Sequence, residues 1–195
     1  VVSLFRLGIE KIGEQVVHLY QTFHEKTFWM IPWFLFSLVL AYLLGRLIKS
    51  EPAIKGSGIP QVEGQLQGQL EIHWFPVLWK KFIGGILAIS PGLFLGREGP
   101  SIQLGAVVGQ GYSQWRQSTK SEEKILISSG ASAGLAAAFN APIAGLLFVL
   151  EEVHHSFSPL VWLTSFSAAI SANFVSLHFF GLQPVLYIGP VKSLP

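Results

Sequence analysis

Two charged residues, Arg97 and Glu98, stand side by side in a stretch from Phe82 to Trp115 that holds no other charge. Ionisable groups in so apolar a run are costly in lipid, so a functional role is the default reading for them. The plain alternative is a buried structural ion pair. A second motif, Gly56-Ser57-Gly58-Ile59-Pro60, has the layout of Gly96-Arg97-Glu98-Gly99-Pro100. Each ends in a proline, which suits the first turn of a helix because its missing N–H would have no partner there anyway. The glycines leave backbone N–H groups open, and a helix N-terminus adds unpaired donors and roughly half a positive charge. Two such ends aimed at one place in a membrane would hold an anion without a full cation. A full cation would hold it too tightly to let it go. The Ser57 hydroxyl is one more donor. Taken alone, GSGIP reads first as a turn that caps a helix.

The elements that must position these groups follow from where charge is missing. Thr27 to Gly45 carries none, lies between Lys26 and Arg46, and matches the ~20 residues of a spanning helix. Trp29 and Trp33 at one end suit a membrane interface, and Arg46, Lys49 and Lys55 mark the other end as cytoplasmic. Pro91, Gly92, Gly96, Gly99 and Pro100 argue against one helix through Phe82–Trp115, so two helices should meet at a break inside the membrane. Non-helical backbone at that depth needs cover from protein or from a watery cavity. Ile125 to Leu150 is also uncharged and breaks at Asn140-Ala141-Pro142. Gly130, Ala131, Ser132, Ala133 and Gly134 let helices approach closely. Glu151-Glu152 closes that segment, and a further apolar stretch runs from Pro159 to Phe180. The intervals 48–55 and 116–124 read as aqueous loops, and 61–73 as a turn or two of helix plus a loop.

The chain of 195 residues is 50% hydrophobic and only 12% charged, with a mean hydropathy of +0.49. That excludes a disordered chain, and with no cysteine it excludes a disulfide-stapled domain. It also speaks against an ordinary soluble enzyme. A formal charge of +2 is too small to suggest nucleic-acid binding. No secretory signal is visible at the start, where Arg6, Glu10, Lys11 and Glu14 interrupt the apolar residues. The first residue is not Met and the end is abrupt, so the chain reads as a piece of a longer protein.

GSGIP, GREGP and the run Gly134 to Gly145, with Phe139-Asn140-Ala141-Pro142 at its centre and Glu151-Glu152 after it, resemble the CLC chloride channels and chloride/proton exchangers. The motifs occur in that family's order and at close to its spacing. The likeness covers nearly the whole chain but about the first half of the family's membrane domain. It implies an all-α integral membrane fold: the first inverted repeat, with tilted, broken and partly spanning helices, residues 1–195 forming one membrane domain. It implies a homodimer in a lipid bilayer, each subunit with its own path, and a bacterial plasma membrane is the expected location.

By the same resemblance Ser57 is a chloride ligand, with Gly58, Arg97 and Gly99 completing this half of the anion site. Members with Pro at the place of Ser57 tend to prefer nitrate. Glu98 is the gate and outer proton carrier, displaced by chloride when ionised and swinging away when protonated. Glu152 is the inner proton acceptor, and its presence favours an exchanger over a channel; a solvated helix-end Glu, like Glu151 beside it, is the plain alternative. Glu63 is expected in a structural ion pair with Lys81, and Phe139 reads as packing rather than pathway.

The family's second-half anion motif is absent, and Tyr187 does not stand where its Tyr ligand would. Chloride and protons are the expected cargo, with no cofactor. No metal site is expected from His154-His155, for want of a third ligand. His73 and His178 read as interfacial or packed. A passive anion channel of the same family is the runner-up. An intramembrane enzyme using Glu98 and Glu152 lacks a nucleophile or a metal, and a half-protein that only assembles with partners is the remaining alternative.

Overall fold

The structure, a computed structural model, describes residues 1–25, 28, 30–93, 95–154 and 158–180. The expectations placed on Trp29, His155 and Tyr187 lie outside the described residues. Within them every regular element is helical: α1 Val2–Glu25, α2 Met30–Ser50, a 3-10 turn Pro52–Ile54, α3 Ile59–Leu66, α4 Trp74–Ile89, α5 Glu98–Arg116, α6 Lys120–Phe139, α7 Pro142–Phe148, a π-helical turn Val149–His154 and α8 Pro159–Phe180.

The helices have unequal reach. α2 and α8 are long and apolar enough to cross a membrane. Their outer faces expose large apolar side chains, Phe34 at 64% and Phe174 at 69% among them. α4, with 16 residues, rises only about 24 Å, short of a ~30 Å hydrocarbon core. α3 and α7 are two turns each. α2 does not stop at Gly45 but continues through Arg46 and Lys49 to Ser50. Both are good helix formers, their charged heads can reach the interface, and a cation suits a helix C-terminus.

The two breaks fall where proline and glycine require them. α4 ends at Ile89 and α5 begins at Glu98. Asn140 ends α6 in the left-handed conformation, and Pro142 starts α7. The interval 116–124 is not one loop. Thr119 and Glu122 form a capping box that starts α6 at Lys120, leaving a short turn after Arg116. The Thr119 N–H and hydroxyl donate to Glu122 Oε2 at 2.8 and 2.9 Å. Those bonds hold the exposed Glu122 carboxyl below its usual range.

The centre of the fold is the α5–α6 pair, packed backbone to backbone. A Cβ at Gly105 would collide with the Gly130 carbonyl, and one at Gly130 with the Gly105 carbonyl. A Cβ at Gly134 would meet the Ser101 carbonyl, so the stripe extends over successive turns. Where lipid supplies no hydrophobic drive between helices, such close approach is what holds them together. Around it, Val62 and Leu66 of α3, Ile102 of α5, Ile127 and Leu135 of α6, and Val149 and Val153 of the π-helical turn form one core.

Candidate functional site

The two Gly-rich motifs meet. A Cβ at Gly99 would lie 2.6 Å from Ser57 Cβ and 2.7 Å from the Ser57 carbonyl oxygen, so the GREGP backbone rests directly on Ser57. Gly58, at φ +101°, is the left-handed residue that turns the chain into α3. A Cβ there would lie 2.5 Å from Gln103 Oε1 on α5. Both positions therefore require glycine, one for conformation and space, the other for space alone. The N-termini of α3 and α5 are brought side by side. Ser57 is exposed, and its Oγ accepts a long bond from Ile59 N–H at 3.4 Å, which leaves the hydroxyl proton to donate elsewhere.

The helix geometry differs from the simplest expectation at GREGP. Helix α5 does not wait for Pro100 but starts at Glu98, with Arg97 as its N-cap residue. Proline is accommodated because the first four N–H groups of a helix have no intrahelical partner. Glu98 is thus the first residue of α5, where a carboxylate is favoured by the helix dipole. Its side chain is exposed and makes no hydrogen bond or ion pair among the described residues.

The GSGIP loop is held from behind by two side chains. Lys81 of α4 is buried, and its Nζ donates to the carbonyls of Ile54 at 3.0 Å and Gly56 at 2.8 Å. The expected Glu63–Lys81 pair is thus replaced by a lysine that bonds loop carbonyls, while Glu63 Oε1 accepts from Gln67 Nε2 at 3.1 Å. Gln103, fully buried, donates from Nε2 to the Ala53 carbonyl at 2.8 Å. Sequence reasoning gave Gln103 no part, although an amide amid apolar residues was the available signal. A cavity of about 390 Å³ lies against this loop, with Gly56, Ser57, Lys80, Lys81 and Gly96 in its wall and an otherwise apolar lining.

Arg97 does not pair with its neighbour Glu98. Its Nη1 bonds Glu10 Oε1 of α1 at 3.2 Å, and the same oxygen accepts from Arg6 Nε at 2.8 Å. Arg6 Nη1 lies 3.4 Å from Asn140 Oδ1. The break before α5 is also tied to α1 at its other end, where the Tyr20 hydroxyl donates to the Pro91 carbonyl at 2.9 Å and accepts from Trp33 Nε1 at 3.2 Å.

Glu151 and Glu152 do not close a helix. They sit inside the π-helical turn that continues α7, between the buried Val149 and Val153. Wide turns of this kind recur at functional sites, but nothing in the spacing of the residues announced this one. Both carboxylates are exposed, and neither has a bonding partner among the described residues. Glu152 and Glu98 are on different elements and do not touch; what joins them is the shared core of α3, α5, α6 and the π-helical turn. Phe139 packs against that core. His73 is exposed at the start of α4, and His178 is exposed with Phe174 stacked along it.

The same architecture and motifs occur in known proteins. A family profile described as voltage gated chloride channel matches residues 34–195. The chain is 36% identical over 177 residues to the H(+)/Cl(-) exchange transporter ClcA of Salmonella arizonae, covering 88% of this chain and 37% of that protein. It is 38% identical over 168 residues to ClcA of Citrobacter koseri, covering 83% of this chain and 35% of that protein. A solved structure described as a slow cyanobacterial Cl-/H+ antiporter superposes with a TM-score of 0.86 at 32% identity, over 100% of this chain and 47% of the other. The chain thus spans well under half the length of these relatives and nearly half of the solved structure. With its paired helix N-termini, its helical membrane architecture and this match along most of its length, the chain belongs to the voltage gated chloride channel family.

Proposed function

We propose that the chain is the first of two inverted repeats of an exchanger that moves chloride against protons. Ser57 and the backbone amides around Gly58 and Gly99 form this half of the anion site. Glu98 is the gate and outer proton carrier, and Glu152 is the inner proton acceptor. Arg97, engaged by Glu10, acts on the site through its field rather than as a direct ligand. The observation that carries the reading is the contact of Ser57 with Gly99, which sets two helix N-termini and a hydroxyl around one place.

A carboxylate at the head of α5 competes with an anion for the same donors. When ionised it occupies them, and when protonated it releases them. One proton is thereby exchanged for anion access. The ion gradients supply the work, and no cofactor enters. Relatives named as H(+)/Cl(-) exchange transporters support coupling rather than passive flow. The working protein is a homodimer in a bacterial plasma membrane.

The test is reconstitution of the whole protein in liposomes with a chloride gradient, no initial pH gradient and the voltage clamped. Proton movement opposite to chloride is expected, and Glu98→Gln is expected to leave chloride flow that no longer moves protons. A Glu98→Gln protein that still drives protons against a chloride gradient would overturn the gate assignment. Chloride flow with no pH change in the wild type would establish a passive channel. The exposed, unbonded state that Glu152 shares with Glu151 favours that second reading.

A further inference from the structure

The Arg6–Glu10–Arg97 cluster lies beside the gate and is not accounted for by anion binding. Two guanidiniums converge on a single carboxylate oxygen, at 2.8 and 3.2 Å. The side chains of Arg6 and Arg97 are 11% and 19% exposed, so both need a counter-charge. One carboxylate between two cations leaves one positive charge in excess. Glu98 is the next residue after Arg97 and has no bonding partner of its own among the described residues.

Other charged groups lie on the elements packed against the start of α5, and Lys55, two residues before Ser57, is exposed. On α4, Lys81 bonds the Ile54 and Gly56 carbonyls, and Lys80 bonds the Ser50 carbonyl at 3.2 Å. On α3, Glu63 accepts from Gln67. On α1, Lys11 and Glu14 are exposed. On α6, the charges of Lys120 to Lys124 fall in its first turns, joined to the far end of α5 by a short turn.

We infer that Glu10 is a positioning residue for the gate: by occupying Arg97 it sets how much positive charge the Glu98 carboxylate meets, and so the pH at which the gate opens. This rests on the assignment of Glu98 as the gate. Two features give it geometric content. Helix α1 holds the segment before α5 at both ends, Tyr20 at Pro91 and Glu10 at Arg97. Arg6 reaches from the same carboxylate to Asn140, the residue that ends α6. The segment leading into α5 is therefore tied to α1, which also carries the counter-charge of Arg97.

The sign follows from the charges. With Glu10 neutralised, Arg97 is released beside Glu98 and an ionised gate is held more firmly, so opening requires more acid. With Arg97 neutralised instead, Arg6 and Glu10 balance each other, the excess positive charge beside the gate is gone and the gate protonates more easily.

The experiment measures chloride and proton flux against pH for the whole protein in liposomes. Glu10→Gln is expected to move the profile to lower pH, and Glu10→Asp, which keeps the charge, to leave it close to wild type. Arg97→Gln is expected to move it the other way, so a Glu10→Gln protein that does not fold leaves that second sign to decide the matter. Shifts of the same sign, or none in variants that fold, would overturn the inference. In a Glu98→Gln background Glu10→Gln should change nothing, and a shift that persists there would show that Glu10 does not act through the gate. If Glu98→Gln alone leaves proton coupling intact, the gate assignment itself fails, and that result is read independently of Glu10.

Discussion

Glu151 and Glu152 are neighbours with the same chemistry, on a turn whose other side is buried through Val149 and Val153. The proposed function gives the proton role to Glu152. Their geometry in this chain treats both alike, exposed and unbonded. Glu152→Gln is expected to retain some chloride transport while proton flux falls to the liposome leak, and Glu151→Gln to keep both fluxes coupled. Paired recordings of the two fluxes decide this, and equal losses from both substitutions would remove Glu152 from its role. The candidate residues were legible one by one because each breaks a rule: a charge in an apolar stretch at Glu98, a glycine-flanked serine ahead of a proline at Ser57. What could not be read was their bonding. Arg97 looked toward Glu98 along the chain, but its partner is Glu10 on another helix, a pairing that only tertiary packing creates. Lys81 was expected only as the ion-pair partner of Glu63; that it would bond two loop carbonyls instead was not legible.

At the scale of elements, proline and glycine marked the breaks at 90–97 and 140–142, because a missing donor or a missing Cβ acts locally and needs no tertiary context. Element ends set by side-chain bonding were harder to see. The Thr119–Glu122 capping box starts α6 inside a run that looks like a polar loop, and the π-helical turn at 149–154 has no residue signature. The small-residue stripe of Gly130 to Gly134 was visible, but its partner on α5 was not. The reciprocal approach of Gly105 and Gly130 gives a sharp expectation. Alanine at either position sets a methyl against a backbone carbonyl that cannot turn aside, an overpacking that costs about 1–3 kcal/mol. The unfolding midpoint of the detergent-solubilised protein should fall accordingly. Alanine at exposed Gly45, whose Cβ position meets nothing, is the control expected to leave the midpoint alone. Equal midpoints for all three would mean that α5 and α6 are not locked through their backbones.

At the scale of the whole molecule, the proposed anion site has donors on one side only. In the proposed reading two helix N-termini and Ser57 make one side of an anion cradle, and Ser57 and Glu98 are both exposed. An anion held on one side only is still solvated on the other, and water there would weaken every electrostatic contact that the helix ends provide. A path for chloride therefore needs a second set of donors opposite the first, and the chain covers only 47% of the solved antiporter to which it is similar. Residues 1–195 alone, placed in liposomes, should insert as a helical protein and yet move neither chloride nor protons above leak. Supplied together with the remaining segment of the whole protein as a separate chain, they should regain coupled flux, because the α5–α6 core already fixes this half of the cradle. Coupled flux from residues 1–195 alone would mean that two copies complete the site between them. The absence of flux from the combined halves, with both chains folded, would mean that the cradle forms only when the two are covalently joined.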